Sequence, residues 1–185
     1  QLNRSAHEEI SNREFTAVYQ HLIAGGDLAA AGIAASALSD PSLDFRKEIS
    51  DITFLEQARQ RFTLPKDLEM LQPIETAIAY LTGKEKPKPI QNIYNHPIDW
   101  KLIATIPQNQ QMEIKTSHGT IVVALFVEEA PGSVSNFVAL ADQHYFDKRF
   151  VHRVVPNFVM QTGCNRGDGY GSEDYSIRSE FSRRR

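Results

Sequence analysis

The stretch FVHRVVPNFVMQTG, residues 150–163, decides the fold of the C-terminal part of the chain. With the two-residue period of a strand, Arg153 lies on one face and His152 on the other. The dipeptide Pro156-Asn157 is a turn signal, and the residues from Phe158 to Gln161 predict a second short strand. We therefore expect Arg153 and Gln161 to lie close together.

This stretch resembles the central signature of the cyclophilin-type peptidyl-prolyl cis-trans isomerases, usually written Phe-His-Arg-Val-Ile, two residues, and Phe-Met-Ile-Gln-Gly-Gly-Asp. Three positions differ: Val151 stands where the family usually has phenylalanine, Thr162 replaces a glycine and Cys164 replaces the aspartate. These differences affect packing and loop shape more than they affect Arg153. Flanking matches extend the resemblance in register over residues 111–185, at positions 116–119, 121–126, 130–131, 136–137, 140, 145–147 and 178–181.

The resemblance implies a multi-domain protein of α plus β class. Its C-terminal part, residues 100–185, would be the N-terminal half of a cyclophilin-like antiparallel β-barrel, since the sequence stops about where such a barrel is half built. A half barrel exposes unpaired strand edges, which favour aggregation. We therefore expect the remaining half of the barrel to accompany this chain, as a separate chain or as a swapped neighbour.

For function, the resemblance implies an enzyme, a peptidyl-prolyl cis-trans isomerase that acts on X-Pro bonds of protein substrates and assists their folding. The catalytic residue would be Arg153, and the residues that bind the proline-containing polypeptide would be Phe158, Val159, Gln161 and His152. The alternative is a helical-repeat scaffold whose cyclophilin-like module binds proline-containing peptides without turning them over.

An arginine suits this chemistry. An X-Pro bond prefers trans by only about 0.5–1 kcal/mol, whereas the barrier between the isomers is about 18–20 kcal/mol. Twisting the amide makes the prolyl nitrogen more basic, so a fixed guanidinium that donates a hydrogen bond to it favours the transition state. No cofactor and no metal is required. Blander interpretations stay open: an arginine on a strand is often a solvated charge, and His152 could serve packing before substrate contact.

The first part of the chain has the period of helices. Apolar residues at 15, 18, 19 and 22 precede Gly25-Gly26, which predicts a helix with a glycine C-cap, and Asp27 opens an alanine-rich helix from Leu28 to Leu38. A third helix is predicted from about Phe45 to Phe62 and a fourth from Leu68 to Leu81. Short antiparallel helices of this kind resemble HEAT-like repeats over residues 1–83; a small bundle without repeats is the alternative.

A segment rich in proline and lysine separates the two regions. Prolines 87 and 89 alternate with lysines, and His96-Pro97 follows. This composition predicts an extended, solvated linker over residues 84–99. Trp100, Leu102 and Ile103 would then anchor the linker against a domain or add a strand before Gln111.

Composition limits the classes of function. The chain has 185 residues, of which 41% are hydrophobic, and a net charge of −3, which gives no electrostatic reason to expect nucleic-acid binding. We expect no membrane span, because no segment is long and apolar enough. The compartment stays open, with the bacterial cell envelope or periplasm as the expectation. The start at Gln1 and the end at Arg183–Arg185 predict a fragment of something longer, cut at a trypsin-sensitive loop.

Overall fold

The computed structural model describes residues 11–181, which form two compact units that divide between Ile93 and Tyr94. This division falls inside the segment 84–99 that the sequence predicts as a linker, and the exact domain bounds 1–83, 84–99 and 100–185 stay a prediction. The cut predicted at Arg183–Arg185 lies outside the described residues.

The first unit is helical. It contains α1 (Asn12–Ala24), α2 (Leu28–Leu38), a short 3₁₀ helix (Phe45–Lys47), α3 (Thr53–Arg59) and α4 (Leu68–Leu81). Ser11 and Glu14 form a capping box at the start of α1, and the carboxylate of Asp27 accepts hydrogen bonds from the first turn of α2. The predicted helices at Leu28–Leu38 and Leu68–Leu81, and the predicted cap at Gly25, are confirmed.

The single helix predicted from Phe45 to Phe62 is wrong. The chain forms only the 3₁₀ turn at Phe45–Lys47 before α3 begins at Thr53. The carboxylate of Asp51 accepts hydrogen bonds from both the backbone N–H and the hydroxyl of Thr53, at 2.9 and 2.5 Å. Such local side-chain bonds compete with a continuous helix, and they set a new helix start here.

One apolar core holds the helical unit together. The side chains of Tyr19, Ile23, Leu38, Phe45, Leu55 and Ile74 are fully buried in it. The Phe45 ring meets the Tyr19 ring edge-on, with 5.5 Å between the centroids. Alanines on α2 let α4 approach closely, and a Cβ added at Gly32 would lie 2.6 Å from the sulfur of Met70.

The second unit combines short helices with two β-hairpins. Its elements are α5 (Trp100–Thr105), β1 (Gln111–Thr116), β2 (Gly119–Ala124), α6 (Pro131–Asp142), β3 (Arg153–Val155) and β4 (Val159–Gln161). Because residues 100–105 form a helix, the alternative of an added strand there is wrong; Ile103 instead packs beside the small core of Leu125, Val127 and Val134.

The β-structure is open in the described part of the chain. β1 pairs with β2 and β3 pairs with β4, both antiparallel, as two separate two-stranded sheets, so no closed barrel exists within residues 11–181. Apolar side chains that a barrel would cover are exposed, with 56% of Val122, 65% of Val154 and 75% of Phe150 accessible. Mixed α and β structure is confirmed, whereas a barrel is not observed. None of the helices in this part of the chain is long and apolar enough to cross a membrane.

Candidate active site

The β3–β4 hairpin carries the candidate site. In its register Arg153 stands opposite Gln161, Val154 opposite Met160 and Val155 opposite Val159. The N–H of Phe158 donates to the carbonyl of Val155 across Pro156-Asn157, and Asn157 has a φ of 59°. Proline followed by a residue with positive φ fits a type II turn, and asparagine tolerates that conformation. The predicted turn is therefore confirmed, and it fixes the register.

Arg153 and Gln161 are in direct contact. The Nη1 of Arg153 donates a hydrogen bond of 3.1 Å to the Oε1 of Gln161, as expected for directly opposed residues on one face of a hairpin. Both side chains are exposed. Only one guanidinium nitrogen is bonded to Gln161 in this contact, so its other donors remain available to a bound peptide.

The register also decides which apolar residues share the face of Arg153. Val155 and Val159 oppose each other and lie two residues from Arg153 and Gln161, so all four lie on the same face. Val159 is half-buried, whereas Phe158, in the turn before β4, is 77% exposed. The structure thus brings Arg153, Gln161 and Val159 together and leaves Phe158 projecting beside them. Val155 completes the face, as the strand alternation that places it on the side of Arg153 predicts.

His152 belongs to the other side of the strand. A Cβ added at Gly169 would lie 3.3 Å from the imidazole, so the ring packs against the glycine-rich loop. Its Nδ1 is buried and has no hydrogen-bond partner among the described residues. The backbone N–H of His152 donates to the carbonyl of Gln161 at 3.1 Å. In this structure His152 therefore packs against the loop, while a substrate contact for it stays a prediction.

The regular strand is shorter than the sequence predicted. The alternation that starts at Phe150 leads to strand pairing only from Arg153. The hydroxyl of Thr162 donates to the carbonyl of Phe150 at 2.9 Å, just before the paired segment begins. A threonine where the family usually has glycine thus adds a side-chain contact at the strand end next to Arg153.

The loop after β4 is organised around Cys164. Its sulfur is buried and lies 3.3 Å from the N of Gly169 and 3.1 Å from the N of Gly171. Burial raises the pKa of the Cys164 thiol, but backbone N–H groups of residues 166 to 171 lower it by more, so that the pKa lies below its ordinary value. The thiol therefore acts as an acceptor for the loop amides.

Two contacts that the sequence did not reveal support this region. Arg149 donates from Nε to the carbonyl of Tyr145 at 2.7 Å and from Nη1 to the carbonyl of Asn165 at 3.2 Å. It thereby links the segment before β3 to the glycine-rich loop. The carboxylate of Glu180 binds the first turn of α6. The partners in these bonds, apart from the hydroxyl of Ser133, are backbone groups, which every residue has, so no residue pattern points to them.

No group of three or more histidine, cysteine, aspartate or glutamate side chains within residues 11–181 is arranged to hold a metal ion. The hairpin instead presents hydrogen-bond donors beside apolar surface. Such a face can bind an extended peptide and polarise one of its amides.

Residues 111–185 match the family model of the cyclophilin type peptidyl-prolyl cis-trans isomerases. The resemblance predicted from the sequence is thereby confirmed for this segment. The match does not reach the helical unit, and HEAT-like repeats there are not confirmed. No solved structure matches the chain.

Curated relatives also match part of the chain. A peptidyl-prolyl cis-trans isomerase of Helicobacter pylori is 43% identical over 69 residues, which are 37% of this chain and 43% of that protein. One from Synechococcus elongatus is 39% identical over 72 residues, 39% of this chain and 50% of that protein. Peptidyl-prolyl cis-trans isomerase B of Bacillus subtilis is 46% identical over 56 residues, 30% of this chain and 39% of that protein. The chain thus spans half or less of the length of these relatives.

Proposed function

We propose that this protein catalyses cis-trans isomerisation of X-Pro bonds in polypeptides. The observation that carries the proposal is the pairing of Arg153 with Gln161 on the β3–β4 hairpin, at 3.1 Å between Nη1 and Oε1, within a cyclophilin-type segment. Relatives that carry the printed name of this activity support it.

Arg153 acts on the amide in this mechanism. When the X-Pro bond twists, the prolyl nitrogen loses its resonance with the carbonyl and gains basicity, and the guanidinium donates a hydrogen bond to it. Gln161 holds the guanidinium from one side before the substrate binds. Arg153 therefore has less side-chain conformational freedom to lose when the substrate binds. The step makes and breaks no covalent bond, so a positioned donor is sufficient.

The substrate is a proline-containing polypeptide segment. The proline ring rests on the apolar part of the hairpin, with Val159 and Phe158 as its seat and His152 as a further contact. The exposure of Phe158 supports this role, since an aromatic ring with 77% of its surface accessible is free to receive a ring.

The rest of the proline pocket comes from further strands that cover the hairpins. The exposed apolar side chains of β2 and β3 support this, because isolated two-stranded sheets are marginally stable in water. In this proposal these strands are the remaining half of a cyclophilin-like barrel.

The helical unit serves as the HEAT-like part of the protein. Two helical hairpins, α1 with α2 and α3 with α4, support this assignment, and α2 packs against α4 between them. Stacked hairpins of this type form extended surfaces for other polypeptides.

The test is the rate of cis-trans exchange of an Ala-Pro peptide, followed by exchange NMR, on the 185-residue chain and on Arg153→Ala. Acceleration by the chain and its loss in Arg153→Ala would support the proposal. Arg153→Lys is the informative control, since it keeps the charge but not the planar fork and should recover only part of the rate.

The same spectra separate the alternatives. Resonances of the peptide that shift on binding to the β3–β4 hairpin, without faster cis-trans exchange, would indicate a module that binds prolyl peptides but does not isomerise them. Exchange at the uncatalysed rate with no shifts at all would overturn both roles for this chain.

A further inference from the structure

The paired part of the β3–β4 hairpin is short, and the candidate catalytic residue stands at its open end. Three residue pairs form the ladder, and Arg153 with Gln161 is the pair farthest from the Pro156-Asn157 turn. The last pair of a short, exposed ladder opens at a low cost in free energy. Contacts beyond the ladder are therefore needed to keep Arg153 in place.

One arginine side chain joins the two chain segments beyond the end of the ladder. The Nη1 of Arg149 donates a hydrogen bond of 3.2 Å to the carbonyl of Asn165. Arg149 lies four residues before Arg153, and Asn165 lies the same distance after Gln161. This bond, which we call the clamp, therefore closes the hairpin on the side opposite its turn.

Arg149 is itself held in place. Its Nε donates to the carbonyl of Tyr145 at 2.7 Å, and its guanidinium carbon lies 5.0 Å from the centroid of the Tyr145 ring. Burial and a hydrogen bond to the Glu173 carboxylate raise the pKa of Tyr145 to about 12, so the hydroxyl stays protonated and donates. The same carboxylate accepts a bond of 3.4 Å from the Nδ2 of Asn165. Tyr145 and Asn165 are thus connected through Arg149 and also through Glu173.

The two arginines of this region have different partners. Arg149 is half-buried, and its guanidinium donates to two backbone carbonyls on different segments. A planar guanidinium with several fixed donors suits such a bridge, whereas a lysine ammonium lacks the fork. Arg153 is exposed and bonds to a side chain of the opposite strand. Arg149 is therefore placed to act on the backbone, and Arg153 to act on a bound peptide.

We propose that Arg149 is a positioning residue for Arg153. By joining the segment before β3 to the loop after β4, the clamp keeps the open end of the hairpin closed and holds the Arg153 guanidinium against the prolyl nitrogen of the twisted amide. This inference rests on the isomerase function proposed above. Without the clamp Arg153 is still present but takes more orientations, and a misplaced donor stabilises the transition state less.

Kinetics on the Ala-Pro peptide separate positioning from peptide binding. In Arg149→Ala, kcat should fall about tenfold while KM changes by less than about twofold, because the donor acts in the transition state. Arg149→Lys keeps the charge but not the fork and should recover only part of kcat. Full activity in Arg149→Lys would overturn the proposal, since charge alone would then be sufficient. A higher KM with an unchanged kcat in Arg149→Ala would overturn it as well.

Hydrogen exchange of one backbone amide tests the clamp without a substrate. The N–H of His152 donates to the carbonyl of Gln161 at 3.1 Å, so its exchange reports whether the open end of the hairpin is closed. Arg149→Ala should speed this exchange at least about fivefold, the effect of losing about one hydrogen bond. The N–H of Leu125, which is bonded elsewhere in the same unit, should keep its rate. An unchanged rate at His152, or equal acceleration at both amides, would contradict the clamp.

Arg166→Ala is the matched control. Arg166 is an exposed arginine of the same loop, and its guanidinium donates to Asp168 within that loop at 2.7 Å. The variant removes the same charge and should leave both kcat and the exchange of the His152 amide unchanged. Losses equal to those of Arg149→Ala would show that net charge, and not the clamp, is responsible.

The two readouts keep this proposal apart from the isomerase function. An active parent chain whose His152 exchange does not depend on Arg149 would overturn the positioning role alone. With an inactive parent chain the isomerase function fails, and the exchange data by themselves decide whether the clamp closes the hairpin.

Discussion

The carboxylate of Glu180 accepts hydrogen bonds from the backbone N–H and the hydroxyl of Ser133, at 2.7 and 2.9 Å. It also accepts from the N–H of Gly132 at 2.9 Å. α6 begins at Pro131 after Ala130, whose side chain offers no cap. A residue almost fifty positions away therefore supplies the helix cap, and it does so with a negative charge at the positive end of the helix dipole.

Replacing Glu180 by glutamine should destabilise the C-terminal unit by about 1–2 kcal/mol, because hydrogen bonds to a charged acceptor are stronger than those to a neutral one. Chemical denaturation with a probe in this unit measures the free energy of unfolding. Glu128→Gln is the control, since Glu128 is exposed and does not cap the helix; equal effects at both positions would contradict the capping role.

The same contact makes stability depend on pH. Burial raises the pKa of Glu180, but the bonds from Ser133 and Gly132 lower it by more, so the pKa in the folded state lies below the ordinary value of 4.5. The stabilisation is therefore fully present above about pH 4.5 and is lost as the pH falls through the lower, folded-state pKa. The free energy of unfolding, measured over a series of pH values, should not show this fall at low pH in Glu180→Gln.

Arg61 closes the C-terminal end of α1. Its guanidinium donates to the carbonyls of Ile23, Ala24 and Gly25, which the helix leaves without N–H partners. Arg61→Ala should lower the free energy of unfolding of the helical unit by about 1–2 kcal/mol. Arg13→Ala on α1 is the control and should change it by less than about 0.5 kcal/mol. A fall of the same size in both variants would argue against the cap.

Alanine substitutions at two glycines distinguish an effect on packing from an effect on backbone freedom. At Gly32 a Cβ would clash with Met70 at 2.6 Å, whereas at Gly26 nothing lies within 4 Å. Gly32→Ala should therefore destabilise the helical unit by about 1–3 kcal/mol, while Gly26→Ala should be neutral or slightly stabilising. Thermal unfolding followed by circular dichroism at 222 nm compares them, and a neutral Gly32→Ala would show that α2 and α4 are not so closely packed.

Local patterns predicted the elements well where the residues involved are neighbours in sequence. Asp27 and the alanines gave α2 its observed bounds, and Pro156-Asn157 gave the hairpin its turn. The pattern failed where a side chain bonds to the backbone. Asp51 accepts the N–H of Thr53 where the predicted third helix is interrupted, and Thr162 donates to the carbonyl of Phe150 where the strand before Arg153 ends. Hydrophobic periodicity contains no information on such competing hydrogen bonds.

The features of the candidate site also fall into those that the sequence predicted and those that it did not. Strand alternation and the turn were enough to place Arg153 near Gln161, and the 3.1 Å contact confirms that proximity. The bonds from Arg149 to the Asn165 carbonyl and from the Ser133 N–H to Glu180 were not predicted, because these partners are backbone groups distant in sequence. The catalytic and substrate-binding roles of the site residues stay predictions.

The thiol of Cys164 should ionise below its ordinary pKa, since the backbone amides around it favour the thiolate despite burial. Thiolate absorbance near 240 nm, titrated in the folded chain and again in guanidinium chloride, compares the two states. The folded midpoint should lie below the unfolded one, so the thiolate stabilises the fold at pH values above the unfolded pKa. Cys164→Ser supplies the blank, and coincident midpoints would mean that the loop amides do not stabilise the thiolate.

The contact between Arg153 and Gln161 should matter more in the transition state than in the bound ground state. If isomerase activity is found, Arg153→Ala should lower kcat/KM about 10²–10³-fold, as for loss of a donor at a developing charge, and Gln161→Leu about tenfold, because the guanidinium remains but loses its support. The double variant should be no worse than Arg153→Ala alone, since Gln161 acts through the arginine. Gln143→Leu, on an exposed helix end, controls for the substitution. Additive losses in the double variant would instead show that Gln161 contacts the substrate independently.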